Sequence, residues 1–416
     1  MLIDLFAVLT LQGGYNTSLV LIGAAALGAA GGMIGVFTLL RRRALIADAI
    51  SHATLPGVAI AFLIAFHLGF EARSLPVLLA GAAASAVIGV LVVQWITHHT
   101  RLPEDSAIGT VLSTFYGLGL VLLTYIQTLR VGSAAGLEAF LLGSTASMLR
   151  SEAELIAIAA TIVGLAVALA FKEFGLIAFD PDFAAAHGWP VARIDLIVLT
   201  LLLAVIVIGL KAVGLILVIA IVIIPPVAAR FWSNRLSRVV GIAALIGAGG
   251  AYFGAALSAI APNLPTGALI VLTLSTIFLV SFLLSPIRGV AAVTARRGAV
   301  SLAARERLAL LAIASGRQIT DPIGRWQARR RGWLTSRGLP TPRGHVAAAA
   351  ADRDLSLWQL HLDYDPEAAI RIPNWALLPI DQVLPPDRVR WLESVKAQAN
   401  ETVKLTPIGS TADRPD

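Results

Sequence analysis

Asp48, Ser51 and His52 stand close together in a stretch that runs Arg41-Arg42-Arg43-Ala44-Leu45-Ile46-Ala47-Asp48-Ala49-Ile50-Ser51-His52-Ala53-Thr54-Leu55-Pro56-Gly57. On a helix, residues four apart share a face, so Asp48 and His52 are neighbours. A carboxylate oxygen beside an imidazole nitrogen is a mixed ligand pair. It suits divalent first-row ions such as Zn, Mn or Fe better than Na⁺ or K⁺. Ser51 offers a third oxygen. Pro56 has no N–H to give to the carbonyl four residues back, so the His52 carbonyl is freed beside the same face, and Gly57 permits a bend. A plainer reading competes with this one. Asp48 is five residues past Arg43, about 7 Å of helical rise. It could sit at a membrane surface and pair with an arginine. On these residues alone both readings stay open.

The elements that must carry this stretch are read from hydropathy. The chain has 416 residues, 57% hydrophobic and 14% charged, where soluble domains run at about a quarter charged. The apolar residues come in blocks of about 18 to 24, the length that crosses a bilayer core of about 30 Å as a helix. Lipid cannot satisfy stray backbone groups, so helices are expected, and no alternating pattern points to a membrane barrel. Nine spans are expected, near 18–40, 44–68, 75–97, 107–126, 152–171, 194–210, 212–229, 239–257 and 267–284. Within the mixed stretch 127–151, residues 137–144 are too short to cross and read as a re-entrant or interfacial piece. The first dozen residues are apolar but short, with no basic leader or cleavage site, so no cleaved signal peptide is expected. The sequence holds no cysteine, which excludes disulfides, Fe–S clusters and thiolate metal sites.

The connections separate by charge. Arg41 to Arg43, His98, His99, Arg101, Lys172, Arg193, Arg230, Arg235, Arg238 and Arg288 fall in one set. Arg73, Arg130 and Lys211 fall in the other. The arginine-rich set is expected to be cytoplasmic, which places the N-terminus outside and everything after Ser285 inside. Composition shifts after Pro286. From Gly289 onward the chain carries 18 Lys and Arg against 13 Asp and Glu, and five of its eight tryptophans. This is expected to be a small cytoplasmic domain.

Two further features bear on how movement would be driven. Asp180 can cap a helix, Pro181 suits its first position, Asp182 its positive end, and Gly188 can end it after about two turns through Ala186. Such an isolated helix can lie in a partner's groove, or simply connect two spans. No G-x-x-x-x-G-K-[ST] phosphate loop is present, and none of the four lysines follows a glycine, so ATP would have to be bound by another chain. Glu104 and Asp105 open the fourth span, where acids are ordinary at a helix start. Pro225-Pro226 is expected to bend the seventh span, as a hinge or a fixed kink.

Several stretches, in order, resemble the membrane permeases of ABC-type manganese, zinc and iron uptake systems. They are Arg42 to Leu45 with Asp48, Ser51, His52 and Leu55-Pro56-Gly57; Glu104 to Gly109; Leu142-Gly143-Ser144; Phe179 to Gly188; Lys211 to Val218; Ile224 to Arg230; Leu264 to Ala268; and Ser285 to Gly289. The likeness covers about residues 15–290. It implies an all-α permease domain over 1–289, with Asp48 and His52 on the metal path and Asp180, Asp182, Ala186 and Gly188 in the ATPase contact. It implies as partners a cytoplasmic ATPase dimer, an external metal-binding protein and a second permease copy or a relative, in a bacterial plasma membrane. Metal is then cargo, no permanently bound cofactor is expected, and the chain is not an enzyme.

Beyond the spans, Thr341-Pro342-Arg343-Gly344, Arg353 to Leu362 and Ile380 to Pro385 resemble iron-dependent transcriptional repressors. That likeness implies a degenerate α/β winged-helix-like domain over 290–416. Leu355, Gln359, Asn374, Leu378 and Gln382 stand where that family's metal ligands would be, with Asp381 the one acid kept, so no metal sensing is expected. The domain is expected to dock within the transporter; lipid headgroups are an alternative contact for its basic stretch, and nucleic acid is not an expected partner. The alternatives for the whole chain are a secondary ion-coupled transporter, whose halves should be related, and a membrane-anchored regulator.

Overall fold

The computed structural model describes residues 2–41, 43, 45–70, 74–129, 148–260 and 264–405. Arg42, Arg73, Arg130, the expected re-entrant piece at 137–144 and Leu142-Gly143-Ser144 lie outside the described residues. The chain divides into two compact units, one ending at Ala292 and the other starting at Val293.

The first unit is helical throughout its described residues. A short α1 (Leu2–Leu9) precedes α2 (Tyr15–Leu40), α3 (Ile46–His67), α4 (Leu75–His99), α5 (Glu104–Thr128) and α6 (Arg150–Leu169). Then come α7 (Phe171–Phe179), α8 (Pro181–Ala186), α9 (Val191–Val213), α10 (Leu215–Trp232), α11 (Leu236–Ser258) and α12 (Thr266–Leu284). Eight of these are long and apolar enough to cross a membrane. The one expected span left over, the seventh at 212–229, is α10, whose apolar part, Leu217–Trp232, is shorter than the rest. Gly214, at φ +85°, is what separates α9 from α10, since a left-handed residue ends a helix and glycine takes it without strain. Pro225 and Pro226 lie inside a continuous α10.

The spans α2 and α3 are the most buried, so the Arg41–Arg43 turn joins the two helices with the least contact with surroundings. Small residues allow this. A Cβ added at Gly57 would meet the Gly81 carbonyl oxygen at 2.1 Å, and one added at Gly81 would lie 2.5 Å from that of Gly57. Helices α3 and α4 therefore cross with backbones in direct contact, as small-residue interfaces permit.

The second unit takes up α13 (Val290–Ala314) from Val293 onward, then α14 (Pro322–Arg330), α15 (Pro342–Tyr364), α16 (Ala368–Arg371), a 3₁₀ turn (Trp375–Leu377), α17 (Ile380–Val383) and α18 (Pro386–Leu405). The expected α/β winged-helix-like domain is not what is found. Among the described residues there is no strand, only one isolated antiparallel bridge between Leu334 and Pro340. Around that bridge the Thr335 N–H donates to the Leu339 carbonyl at 2.8 Å and the Thr341 N–H to the Trp333 carbonyl at 2.9 Å, and Pro342, next along the chain, has no N–H to extend the pairing. Instead Thr341 caps α15, its hydroxyl accepting from the Gly344 N–H at 3.0 Å.

Trp358 is fully buried, with Leu357, Ile380 and Leu392 around it. Arg353 on α15 clamps this cluster from outside, donating to Asp381 on α17 at 2.9 Å and to Glu393 on α18 at 2.6 Å. Asp381 is thus spent on Arg353, whose hydrogen bond holds its carboxyl below the usual carboxylate range.

Candidate metal path and coupling elements

Asp48 is in the first turn of α3 and His52 in the second. His52 Nε2 lies 3.3 Å from Asp48 Oδ1, and both side chains are partly exposed, at 20% and 33%. The i, i+4 spacing alone produces this pairing. The other ring nitrogen, His52 Nδ1, is buried and has no hydrogen-bond partner. Tyr116 of α5 meets the imidazole edge-on, with ring centroids 5.0 Å apart. Ser51 is turned elsewhere. It is fully buried, and its hydroxyl donates to the Ala47 carbonyl at 2.8 Å within the helix.

The neighbours fix the depth. Tyr116 is twelve residues past the start of α5 at Glu104, about 18 Å along the helix by its rise. Gly89 of α4 packs on Ala53, with an added Cβ only 2.8 Å from the Ala53 Cβ. Gly89 precedes the end of α4 at His99 by ten residues, about 15 Å. His52 and Ala53 therefore lie level with the middle of both neighbouring spans, although they open α3.

Of the three arginines before α3, Arg41 and Arg43 are among the described residues, and both engage acids other than Asp48. Arg41 grips Asp195 of α9 with two hydrogen bonds, Nε to Oδ1 at 3.1 Å and Nη2 to Oδ2 at 2.6 Å. Its third nitrogen, Nη1, donates to the Ile177 carbonyl of α7 at 3.1 Å. Arg43 donates Nη1 to Asp195 Oδ2 at 2.8 Å, and its Nε lies 2.7 Å from Glu104 Oε1 at the head of α5. A planar guanidinium facing a carboxylate with two parallel bonds is the strongest side-chain ion pair available. Asp195 is the residue the sequence reading missed. It stands one turn into an apolar span, 152 residues from Arg43, and only its placement inside a span could have drawn attention to it. Tyr116 carried no such signal.

The residues read as coupling elements form a compact piece. Asp180 Oδ1 accepts the Phe183 N–H at 2.9 Å and so caps the six-residue α8. Gly188 closes it at φ +80°. Asp182 and Ala186 are exposed, and so are Phe179, Phe183 and Trp189 beside them. Pro225 and Pro226 are far along α10, and Pro226 faces Gly35: an added Cβ there would lie 2.8 Å from the proline ring. That contact packs the proline ring against α2. Among the described residues no three His, Asp or Glu side chains gather to hold a metal, so Asp48 and His52 are a two-ligand pair.

The sequence profile described as the ABC 3 transport family matches residues 15–285. A relative from Bacillus subtilis (strain 168), the manganese transport system membrane protein MntC, is 42% identical over 277 residues, covering 67% of this chain and 62% of its own length. The zinc transport system membrane protein TroC of Treponema pallidum (strain Nichols) is 40% identical over 300 residues, 72% of this chain and 99% of that one. Among solved structures, PsaBC from Streptococcus pneumoniae in complex with Fab is similar at a TM-score of 0.59 and 28% identity, covering 69% of this chain and 98% of that chain.

Proposed function

Because this chain belongs to the ABC 3 transport family, it is a membrane permease and not an enzyme, and we propose that it forms the channel of an ATP-driven importer for a divalent transition metal. Relatives named for manganese and zinc transport support that cargo class, and iron shares the ligand chemistry. The observation that carries the reading is the Asp48–His52 pair, held at mid-span depth and left unclaimed by Arg41 and Arg43. Two protein ligands are fewer than the four such an ion usually takes from a resident site. A pair that binds incompletely can hold an ion and let it go. A second permease copy, or a relative, would face the pair with its own ligands, and an external metal-binding protein would deliver the ion.

A separate ATPase dimer would press on α8. The ionic network supports this reading because it brackets that helix. Ile177, just before α8, and Asp195, just after it, are both held by Arg41. Arg43 extends the link to Glu104 and so to α5, which carries Tyr116 against His52. Movement of α8 would then reach both helices of the path. The positive-inside rule puts the arginine-rich connections, α8 and the second unit in the cytoplasm, with the N-terminus outside.

The test is reconstitution. In proteoliposomes the permease with its ATPase takes up manganese or zinc when ATP is supplied to the ATPase side. Uptake that proceeds without the ATPase, driven by an ion gradient, would replace this reading with a secondary transporter.

A further inference from the structure

The second unit holds a cavity of about 510 Å³ lined by Arg317, Arg325, Arg329, Arg337 and His345, with no acidic side chain in its wall. Four segments build it. Arg317 follows the end of α13, and Arg325 and Arg329 are one turn apart on α14. Arg337 is on the turn that Leu334 and Pro340 close, and His345 is in the first turn of α15. Arg329 reaches across to that turn, where a Cβ added at Gly338 would lie 4.0 Å from its Nη2.

The carboxylates nearby are already taken. Asp321 receives Arg305 at 2.6 Å and caps α14 through the Gly324 N–H at 2.7 Å. Glu306 pairs with Arg331 at 3.1 Å, and neither residue lines the cavity. Among the described residues no carboxylate comes within 4 Å of the four lining guanidiniums. Arg325 alone has an internal duty, donating to the Ile319 carbonyl at 3.1 and 2.5 Å.

Four like charges around one concavity repel one another, and the fold keeps them there without a counter-charge of its own. The rest of the wall adds Gln318 and His345 to an apolar side formed by Ile313, Ile319, Leu334 and Leu339. The volume is within the range of about 300–1,000 Å³ that small-molecule sites occupy. Arginine forks match phosphoryl oxygens, and an apolar wall matches a ring or a chain.

We propose that this cavity binds a small phosphorylated molecule, its phosphates on Arg317, Arg329 and Arg337 and its apolar part on the Ile319 side. The site is outside the matched family span, which ends at 285, so its ligand is distinct from the transported metal. A nucleoside diphosphate and an anionic lipid headgroup share the required chemistry.

The test uses the full-length permease in nanodiscs, without any ATPase, and titration calorimetry with pyrophosphate and with ADP. In phosphatidylcholine discs pyrophosphate binds. Arg317→Ala, Arg329→Ala and Arg337→Ala each weaken it about tenfold, the cost of one charge-assisted contact. The triple variant abolishes it, and Arg390→Ala on α18 leaves it unchanged. ADP binding tighter than pyrophosphate identifies a free nucleotide as the source. Displacement of pyrophosphate by phosphatidylglycerol in the disc identifies the lipid headgroup, at the same site. No pyrophosphate binding in phosphatidylcholine discs overturns the proposal, as does binding that survives the triple variant. Duplex DNA binding that the triple variant removes, with no pyrophosphate binding, replaces the proposal with nucleic-acid recognition.

Discussion

Arg41 and Arg43 share Asp195 and Glu104 among them until nearly every charged atom has a partner. Asp48 and His52, a few residues later in the same chain, pair with each other, and among the described residues the second histidine nitrogen has no hydrogen-bond partner. Both groups sit where apolar helices surround them and unpaired charge is costly. The first group is compensated, so it can hold four helices in register whether or not anything else is bound. The second is left short of positive charge and of ligands, the condition in which a passing cation is most welcome. On the proposed function, a structural charge and a working charge are told apart by what each still lacks.

The largest break in this comparison comes from Asp195→Leu. It takes the carboxylate from part-buried Arg41, leaves Arg43 only Glu104, and costs about 3–5 kcal/mol. The expected result is a poor yield and a clearly lower melting temperature in detergent. Unchanged melting would mean the network does not hold the helices together. Gly188→Val is expected to act on coupling. The residue sits at φ +80°, where a β-branched side chain is strained by about 1–3 kcal/mol. ATPase stimulation and uptake should fall together in reconstituted complexes while melting shifts little. Normal coupling would return α8 to the role of a plain connector.

Glu104→Gln is milder. Arg43 keeps Asp195, so the loss is about 1 kcal/mol or less. Finding it as damaging as Asp195→Leu would show the network is not centred on Asp195.

The smallest effect concerns pH and the second unit. His361 is buried, and burial, followed by Arg388, pushes its pKa below the ordinary value. The unfolded chain takes up a proton at about pH 6.5 while the folded one resists. The stability this residue contributes is therefore present above that pH and is lost as pH falls toward the lowered folded value. Hydrogen exchange around Trp358 in the full chain should quicken on going from pH 7 to pH 5.5, after correction for the intrinsic rate. His361→Gln should remove that part of the response; an identical response in the variant would assign it elsewhere.

Much of the first unit was legible because its signals are local. Hydropathy located the spans, Pro181 and Asp180 located the start of α8, and i, i+4 spacing put Asp48 beside His52. What could not be read was long-range. Asp195 meets Arg41 and Arg43 only through the fold, and the depth of His52 depends on Gly89 and Tyr116 in other helices. In the second unit the motif at Thr341 does open a helix, but among the described residues the strands its likeness implied are absent, pairing going no further than the Leu334–Pro340 bridge. The cavity arginines are scattered from 317 to 337 and gather only when three turns bring them together.

The central claim is that Asp48 and His52 carry the metal. The direct measurement is ATP-dependent uptake of manganese and of zinc by Asp48→Ala and His52→Ala permeases, each purified with its ATPase and matched for assembly and melting temperature. Uptake of the transported metal should fall at least about tenfold in both, the loss of one ligand contact or more, with the complex intact. Wild-type uptake in both variants would contradict the claim.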